Sequence, residues 1–491
     1  MIAFFNNQCY YIAMAKDLII GRQKEIEQIN ECYESKESQL VILYGRRRVG
    51  KTFLINQIFD EQFAFKLVGD YNQNKEEQLY NFYEELKRKS KTEVSVPQSW
   101  REAFFQLRDY IDSLPRDKKQ VVFFDEMPWL DNHKSGFLEA FEYFWNSYGA
   151  SKNNLMLILC GSATSWLVEH IDHNKGGLFN RQNCRIYLEP FNLYETEQFL
   201  LSRNIHWSRY DICECYMILG GIPFYLNLLK GSIPYSANID NLFFKKRAAL
   251  WDEFEHLYNT LFTNSEAYIK IVEVLSEKRI GLSRKEMVEK SKLSDNSLLT
   301  KMIKNLVDSG FVREYPFYGN KKRQTKYQLS DFYTMFYFKF VKENAGKDEH
   351  FWSNALDNQA RKSWAGFTFE QLCKDHIRQI KQKIGISGVL ANVSTWFVQG
   401  DEESEGAQID MLIDRRDRVI NICEMKFVND EYVIDKDYDQ DIRRKISKFQ
   451  STTGTKKAIQ LTFVTTYGVK LNMYSQRISS QVLVDDLFVN L

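Results

Sequence analysis

Apolar and polar positions change rhythm several times along the chain. Between residues 19 and 165, short apolar runs alternate with longer helical stretches; the runs are Val41–Tyr44, Phe63–Val68, Val121–Phe124 and Leu155–Cys160. Runs this short and this continuously apolar, bounded by polar segments, predict parallel strands buried on both faces. Residues 191–262 read as helical. Residues 266–329 predict three helices and a hairpin. Tyr268, Ile269, Val272 and Leu275 give the first helix an apolar face, Ser283 caps the second, and Ser294–Leu306 is the third. Gly310–Tyr315 and Lys326–Leu329 are the hairpin strands, and the tip Tyr318-Gly319-Asn320-Lys321-Lys322-Arg323 is basic. Residues 365–485 mix helix and strand again.

The sequence after the first apolar run carries chemistry. Gly45-Arg46-Arg47-Arg48-Val49-Gly50-Lys51-Thr52 follows a strand and opens the helical run Phe53–Phe59, the context a phosphate-binding loop requires. Gly45 and Gly50 permit the tight loop, whose N–H groups and helix N-terminus surround phosphates. Lys51 would reach the β- and γ-phosphates, and Thr52 would ligate Mg²⁺. The run Val121–Phe124 ends in Asp125-Glu126. Asp125 would support the metal, and Glu126 would orient or deprotonate the attacking water. Leu155–Cys160 ends in Gly161-Ser162, where Ser162 either contacts the γ-phosphate or its water, or caps the next helix. Arg181 is a candidate arginine finger; a ring would follow if it acted in trans, with a monomer or dimer as the alternatives.

Length and charge then limit the alternatives. At 491 residues the chain exceeds one core, and 44% hydrophobic with 15% aromatic residues excludes general disorder. No apolar run approaches membrane-spanning length. Met1–Ala15 lacks a basic start and is broken by Asn6-Asn7-Gln8, so it reads as a leader or an upstream start before Met14 rather than a signal peptide. Eight scattered cysteines fit buried thiols in a reducing cytoplasm. The formal charge is +1, yet residues 266–330 hold 14 Lys/Arg against 8 Asp/Glu. That basic three-helix and hairpin segment has the order of a winged helix, which would read DNA through Ser297, Thr300, Lys301 and Lys304 and hold phosphates through Lys321, Lys322 and Arg323. A winged helix used only for protein contacts is the alternative.

Ile20-Gly21-Arg22-x-x-Glu25, Asp125-Glu126-Met127-Pro128-Trp129-Leu130, Cys160-Gly161-Ser162 and Gly220-Gly221-Ile222-Pro223 together resemble archaeal-type AAA+ ATPases, relatives of the STAND class. The resemblance covers roughly residues 18 to 485. It implies an ATPase domain, a helical lid, a winged helix and a C-terminal nuclease-like domain. It further implies that Ile20 and Arg22 flank the adenine and that Pro223 closes over the nucleotide.

The last domain brings a second acidic set. Phe367–Cys373 begins a helix that carries Glu370 inward, and Asp410 and Glu424 lie on two apolar strands around the polar turn Asp414–Arg418. A hairpin centred near residue 416 puts Asp410 opposite residue 422 and diagonal to Glu424, with Asp410, Glu424 and Lys426 on one face. Two carboxylates suit Mg²⁺, and Lys426 would stabilise developing phosphorane charge. Glu424-Met425-Lys426 resembles the E-x-K of PD-(D/E)XK nucleases, with Glu370 as the first-helix acid. Ile409 stands where that family commonly has proline, and the later polar residue is Lys448 or Gln450. A degenerate, binding-only nuclease fold is the alternative.

The expectation is an α/β multidomain protein of the cytoplasm. Its parts are a leader (1–17), a P-loop parallel-sheet ATPase core (18–190), a helical lid (191–264), a winged helix (265–330), a helical linker (331–364) and a restriction-endonuclease-like α/β domain (365–491). ATP and Mg²⁺ are the expected cofactors, and DNA or a protein the expected partner.

Overall fold

The computed structural model describes residues 19–491 apart from 61, 92, 133, 163, 168–181, 320–324 and 401–404. Arg181 and the hairpin-tip residues Lys321, Lys322 and Arg323 therefore lie outside the described residues, as does the leader. The chain divides into two compact units. One runs to Pro190 and includes Asn259–Thr263; the other comprises Phe191–Tyr258 and Asn264–Leu491.

The first unit is built on five parallel strands: β1 (Gln39–Tyr44), β2 (Phe65–Val68), β3 (Gln120–Asp125), β4 (Leu155–Gly161) and β5 (Cys184–Tyr187). Their order is β2-β3-β4-β1-β5, so β4 lies between the strand that leads into the phosphate loop and the strand that ends in Asp125. Every residue of β4 is buried, and β1 and β3 are buried along almost their whole length. This is the continuous apolar pattern of central parallel strands. Below the sheet, Trp100, Phe104, Phe124, Phe137, Phe141 and Phe144 pack as an aromatic cluster, with Trp100 and Phe137 edge to face at 4.8 Å. Each such side chain withdraws enough surface from water to contribute about 2–3 kcal/mol. Strand β5 has no counterpart among the apolar runs of the sequence. It is a short edge strand in which only Ile186 is buried.

The second unit begins with helices Leu193–Ser202, Arg209–Leu219 and Pro223–Leu226, so the helical reading of 191–262 resolves into short pieces. Gly220, at φ 68°, ends the second of them. Three helices follow, Ser265–Ser276, Arg284–Ser291 and Ser297–Asp308, and then the antiparallel pair β6 (Val312–Tyr315) and β7 (Lys326–Leu329). Ser283 caps the middle helix in a full capping box with Glu286. The third helix starts at Ser297 rather than Ser294, because the Asn296 side chain takes the N–H of Leu299.

The C-terminal sheet has the order β12-β11-β10-β9-β8, from β8 (Ala391–Val398), β9 (Ala407–Arg415), β10 (Val419–Lys426), β11 (Ala458–Thr465) and β12 (Ile478–Leu483). β8, β9 and β10 form an antiparallel meander. The helix Lys436–Thr453 crosses over to β11, which runs parallel to β10. The helix before the sheet spans Gln359–Asp375, capped by Asn358. It runs through the expected border at 364/365 and places Glu370 in its later half rather than near its start.

The β9–β10 register also differs from the expected one. Ile420 faces Asp414 and Cys423 faces Met411, so the hairpin is centred on residue 417, with Arg418 at φ 69° closing the turn. Asp410 and Glu424 are thus the next residues on their strands beyond the last recorded pair. The cause is the turn: β9 continues through Arg415, two residues into the expected polar turn.

Among the described residues no helix is long and apolar enough to cross a membrane. The seven described cysteines are all free thiols, six of them buried.

Candidate functional site

The phosphate loop joins β1 to the helix Lys51–Phe59. Gly45 has φ 142°, and a Cβ there would stand 2.4 Å from the Leu188 carbonyl oxygen; Gly50, at φ 94°, caps the helix. Glycine at both positions follows from the backbone path. Arg48 also takes a positive φ, 72°, and Val49 is buried. Lys51 is buried at 5% exposure, and its Nζ donates to the carbonyls of Gly45 and Arg46, each at 2.9 Å. The ammonium therefore sits inside the loop that would wrap phosphates. Arg46 is buried, while Arg47 donates to Thr260 Oγ1 and lies 6.0 Å from the Trp129 ring. Arg22, buried and at φ 65°, reaches the Val49 carbonyl at 3.5 Å, which sets Ile20-Gly21-Arg22 against the loop. Pro223 belongs to the second unit, where it opens the helix Pro223–Leu226.

Thr52 Oγ1 donates to Asp125 Oδ2 at 2.7 Å. A hydroxyl and a carboxylate brought together at the mouth of a phosphate loop fit a hard dication, which fills its remaining positions with water and phosphate oxygens. Glu126 follows at φ 45°, a strained backbone for a non-glycine residue. Its carboxylate accepts from the Ser162 N–H at 3.0 Å and from Ser162 Oγ, at 2.6 Å to Oε1 and 2.7 Å to Oε2. The two sequence readings of Ser162 are joined by a third contact: its polar groups hold Glu126.

The second acidic set lies in the C-terminal sheet. Burial and the neighbouring Asp410 charge push Glu370 up to about 8, against Lys374, Lys426 and Arg279. Burial and Arg313 press Lys374 down to about 8, against Glu370 and Asp410. Glu424 accepts from Tyr438 Oη at 2.5 Å and from Lys445 Nζ at 3.1 Å, and Lys426 Nζ is 3.9 Å away. Gln408 Nε2 donates to Asp410 Oδ1. Glu370 and Lys426 thus link the Asp410 and Glu424 sides electrostatically.

Among the described residues no group of three or more His, Cys, Asp or Glu is gathered as a metal cage. Both oxygens of Glu424 are already engaged, so a dication there would compete with Lys445 for one of them.

The residues that sequence reasoning missed here are Lys374, Tyr438 and Lys445. Tyr438, Asp441 and Lys445 sit at i, i+3 and i+7 of one helix, a spacing that marks a single face. Lys448 instead donates to the Glu405 carbonyl, and Gln450 is exposed. On the helix Ser297–Asp308, the residues Ser297, Thr300, Lys301 and Lys304 are exposed, while Leu299, Met302, Ile303 and Leu306 are buried. The polar face is therefore turned toward solvent.

The five-stranded parallel sheet, the phosphate loop and the Asp125-Glu126 pair define a P-loop ATPase domain. Residues 19–229 match the family described as an ATPase domain predominantly from Archaea. The "Uncharacterized protein MJECL04" of Methanocaldococcus jannaschii is 23% identical over 395 residues, 78% of this chain and 83% of its own. The "Uncharacterized ATP-binding protein MJ1659" of the same organism is 25% identical over 250 residues, covering 41% of this chain and 67% of its own. The Walker-type ATPase PABY2304 of Pyrococcus abyssi superposes with a TM-score of 0.47 at 19% identity, over 66% of this chain and 96% of that one.

Proposed function

We propose that the protein binds and hydrolyses ATP with Mg²⁺, and that the nucleotide controls a DNA-binding segment and a nuclease-like domain. The observation that carries the ATPase reading is the joined set Thr52–Asp125 and Glu126–Ser162 at the ends of β3 and β4, beside the loop that holds Lys51. Lys51 and the loop N–H groups would bind the phosphates, and Ile20 and Arg22 would flank the base. Thr52 and Asp125 would hold the metal, which neutralises phosphate charge when bound. Glu126 would orient the water, and Ser162 would fix that carboxylate. Arg181 as a finger and Pro223 as a lid contact belong to the same reading. ATP turnover of wild type against Lys51→Ala tests it: unchanged binding and turnover in the variant would end the ATPase reading.

The exposed face Ser297, Thr300, Lys301 and Lys304 supports reading residues 265–330 as a winged helix on DNA. Glu370, Asp410, Glu424 and Lys426 support a nuclease-like site acting on phosphodiesters with Mg²⁺ at Asp410 and Glu424. A second reading, a nucleotide-regulated switch that binds without cutting, is favoured by the engagement of Glu424 by Tyr438 and Lys445. Cleavage of single- and double-stranded DNA and RNA with Mg²⁺, with and without ATP, separates the two. Loss of cleavage in Glu424→Ala supports the first reading; no cleavage by wild type supports the second.

A further inference from the structure

The β8–β9 ladder holds a fault at one place. Ser394 faces Leu412, but Trp396 faces Ile409, so Asp410 and Met411 together oppose the single residue Thr395. Two residues against one is a β-bulge on β9, and bulges bend a strand and re-aim the side chain they carry. The backbone groups displaced from the ladder need other partners. The Asp410 carbonyl accepts from Tyr315 Oη at 3.0 Å, and the Ile409 carbonyl accepts from Thr395 Oγ1 at 2.7 Å. Tyr315 is the last residue of β6, in the three-helix and hairpin segment, and is 6% exposed. Its ring lies under Lys374, 4.4 Å from Nζ, and Arg313 on the same strand pairs with Asp375 at 2.5 Å. The chain after Tyr315 then joins the free edge of β8 opposite the bulge. Thr395 N–H donates to the Pro316 carbonyl at 3.1 Å, and Tyr318 N–H donates to the Thr395 carbonyl at 2.8 Å.

We propose that Tyr315 is a positioning residue for Asp410: its hydroxyl holds the bulge that aims this carboxylate, so the hairpin segment sets the geometry of the acidic site. The proposal rests on the nuclease-like reading for its catalytic consequence, but not for the positioning itself. A phenylalanine at 315 keeps the ring beneath Lys374 and removes only the donor. In the full chain, Tyr315→Phe should raise amide hydrogen exchange of the Ile409–Leu412 segment severalfold while β10 and β11 exchange as in wild type. Unchanged exchange at Ile409–Leu412 overturns the proposal whether or not the protein cleaves. If wild type cleaves, Tyr315→Phe should lower kcat about tenfold with KM for the nucleic acid unchanged. Wild-type kcat in the variant would likewise overturn the proposal. Thr395→Val, which removes the other hydroxyl at the bulge, should repeat the exchange signature. If wild type cleaves nothing while Tyr315→Phe still loosens Ile409–Leu412, the nuclease reading fails and the positioning role stands.

Discussion

At the scale of single residues, the phosphate loop is the most constrained part of the chain. Gly45 lies at φ 142° with the Leu188 carbonyl where a Cβ would go. Gly45→Ala should weaken ATP binding more than tenfold and lower stability by about 1–3 kcal/mol; nucleotide titration and urea unfolding measure the two effects. Ser162 was visible as a polar residue at a strand end, but its partner was not, since 36 residues separate it from Glu126. Ser162→Ala should lower the turnover number about tenfold while leaving KM for ATP near wild type, because it frees a carboxylate rather than a phosphate ligand. His376 shows how a residue can be silent in sequence. Its ring is fully buried, with Nδ1 2.8 Å from the Leu372 carbonyl and Nε2 accepting the Leu193 N–H at 3.0 Å. Burial holds its pKa below the ordinary value. The neutral ring is the folded form, so the unfolded chain binds the proton more readily. Stability should fall as pH drops below about 6.5, the ordinary histidine value. His376→Asn, which keeps an acceptor and cannot titrate, should flatten that part of the melting-temperature profile.

At the scale of elements, the patterns that could be read were those with a strong local signal. The buried central strands were legible because they are apolar throughout, and the helix at Arg284 because Ser283 and Glu286 form its cap. Strand β5 was not, because Cys184 and Tyr187 are only partly buried, Arg185 is exposed, and nothing separates them from a loop. The acidic residues of the C-terminal domain were legible by type, yet their register was not: the position of a turn is set by one positive φ, at Arg418, rather than by hydropathy. Burial alone would raise the pKa of Glu286, but Lys278, Lys326 and the groups of Ser283 hold it well below the usual range. Its stabilising contribution is therefore present above the ordinary glutamate value and is lost on acidification. Glu286→Gln should cost about 1 kcal/mol at neutral pH, a difference that starts to shrink below about pH 4 and keeps shrinking on further acidification in thermal unfolding. The pair Arg361–Glu214, 2.9 Å apart and buried on both sides, ties the helix Arg209–Leu219 to Gln359–Asp375. Arg361→Ala would leave a buried carboxylate alone and should cost about 3–5 kcal/mol by chemical denaturation.

At the scale of the whole molecule, the first compact unit runs to Pro190 and also includes Asn259–Thr263. Leu261 and Phe262 within it are apolar like their helical neighbours, so no change of pattern sets these five residues apart. The local excess of positive charge on residues 266–330 was legible by counting, and Lys301 and Lys304 are exposed on the helix Ser297–Asp308. On the proposed DNA-binding reading, affinity of the full chain for DNA should fall about tenfold or more between 50 and 200 mM salt. Lys301→Ala/Lys304→Ala should make that salt dependence shallower, as fluorescence anisotropy would record.

The pairing of Pro316–Tyr318 with Thr395 has a practical consequence for dissecting the protein. β8 is an outer strand of its sheet, and this segment satisfies part of its open backbone while Tyr318 packs on Phe449, ring centres 4.9 Å apart. A fragment cut at residue 365 would lose that cover together with the first turns of Gln359–Asp375. It would present a bare strand edge and an apolar socket, the two features that template self-association. Sheet-forming aggregates from such a fragment would reflect the missing neighbour rather than an unstable sheet, and a fragment that begins at Phe191, and so keeps the partners of Arg361 and His376, should remain monodisperse.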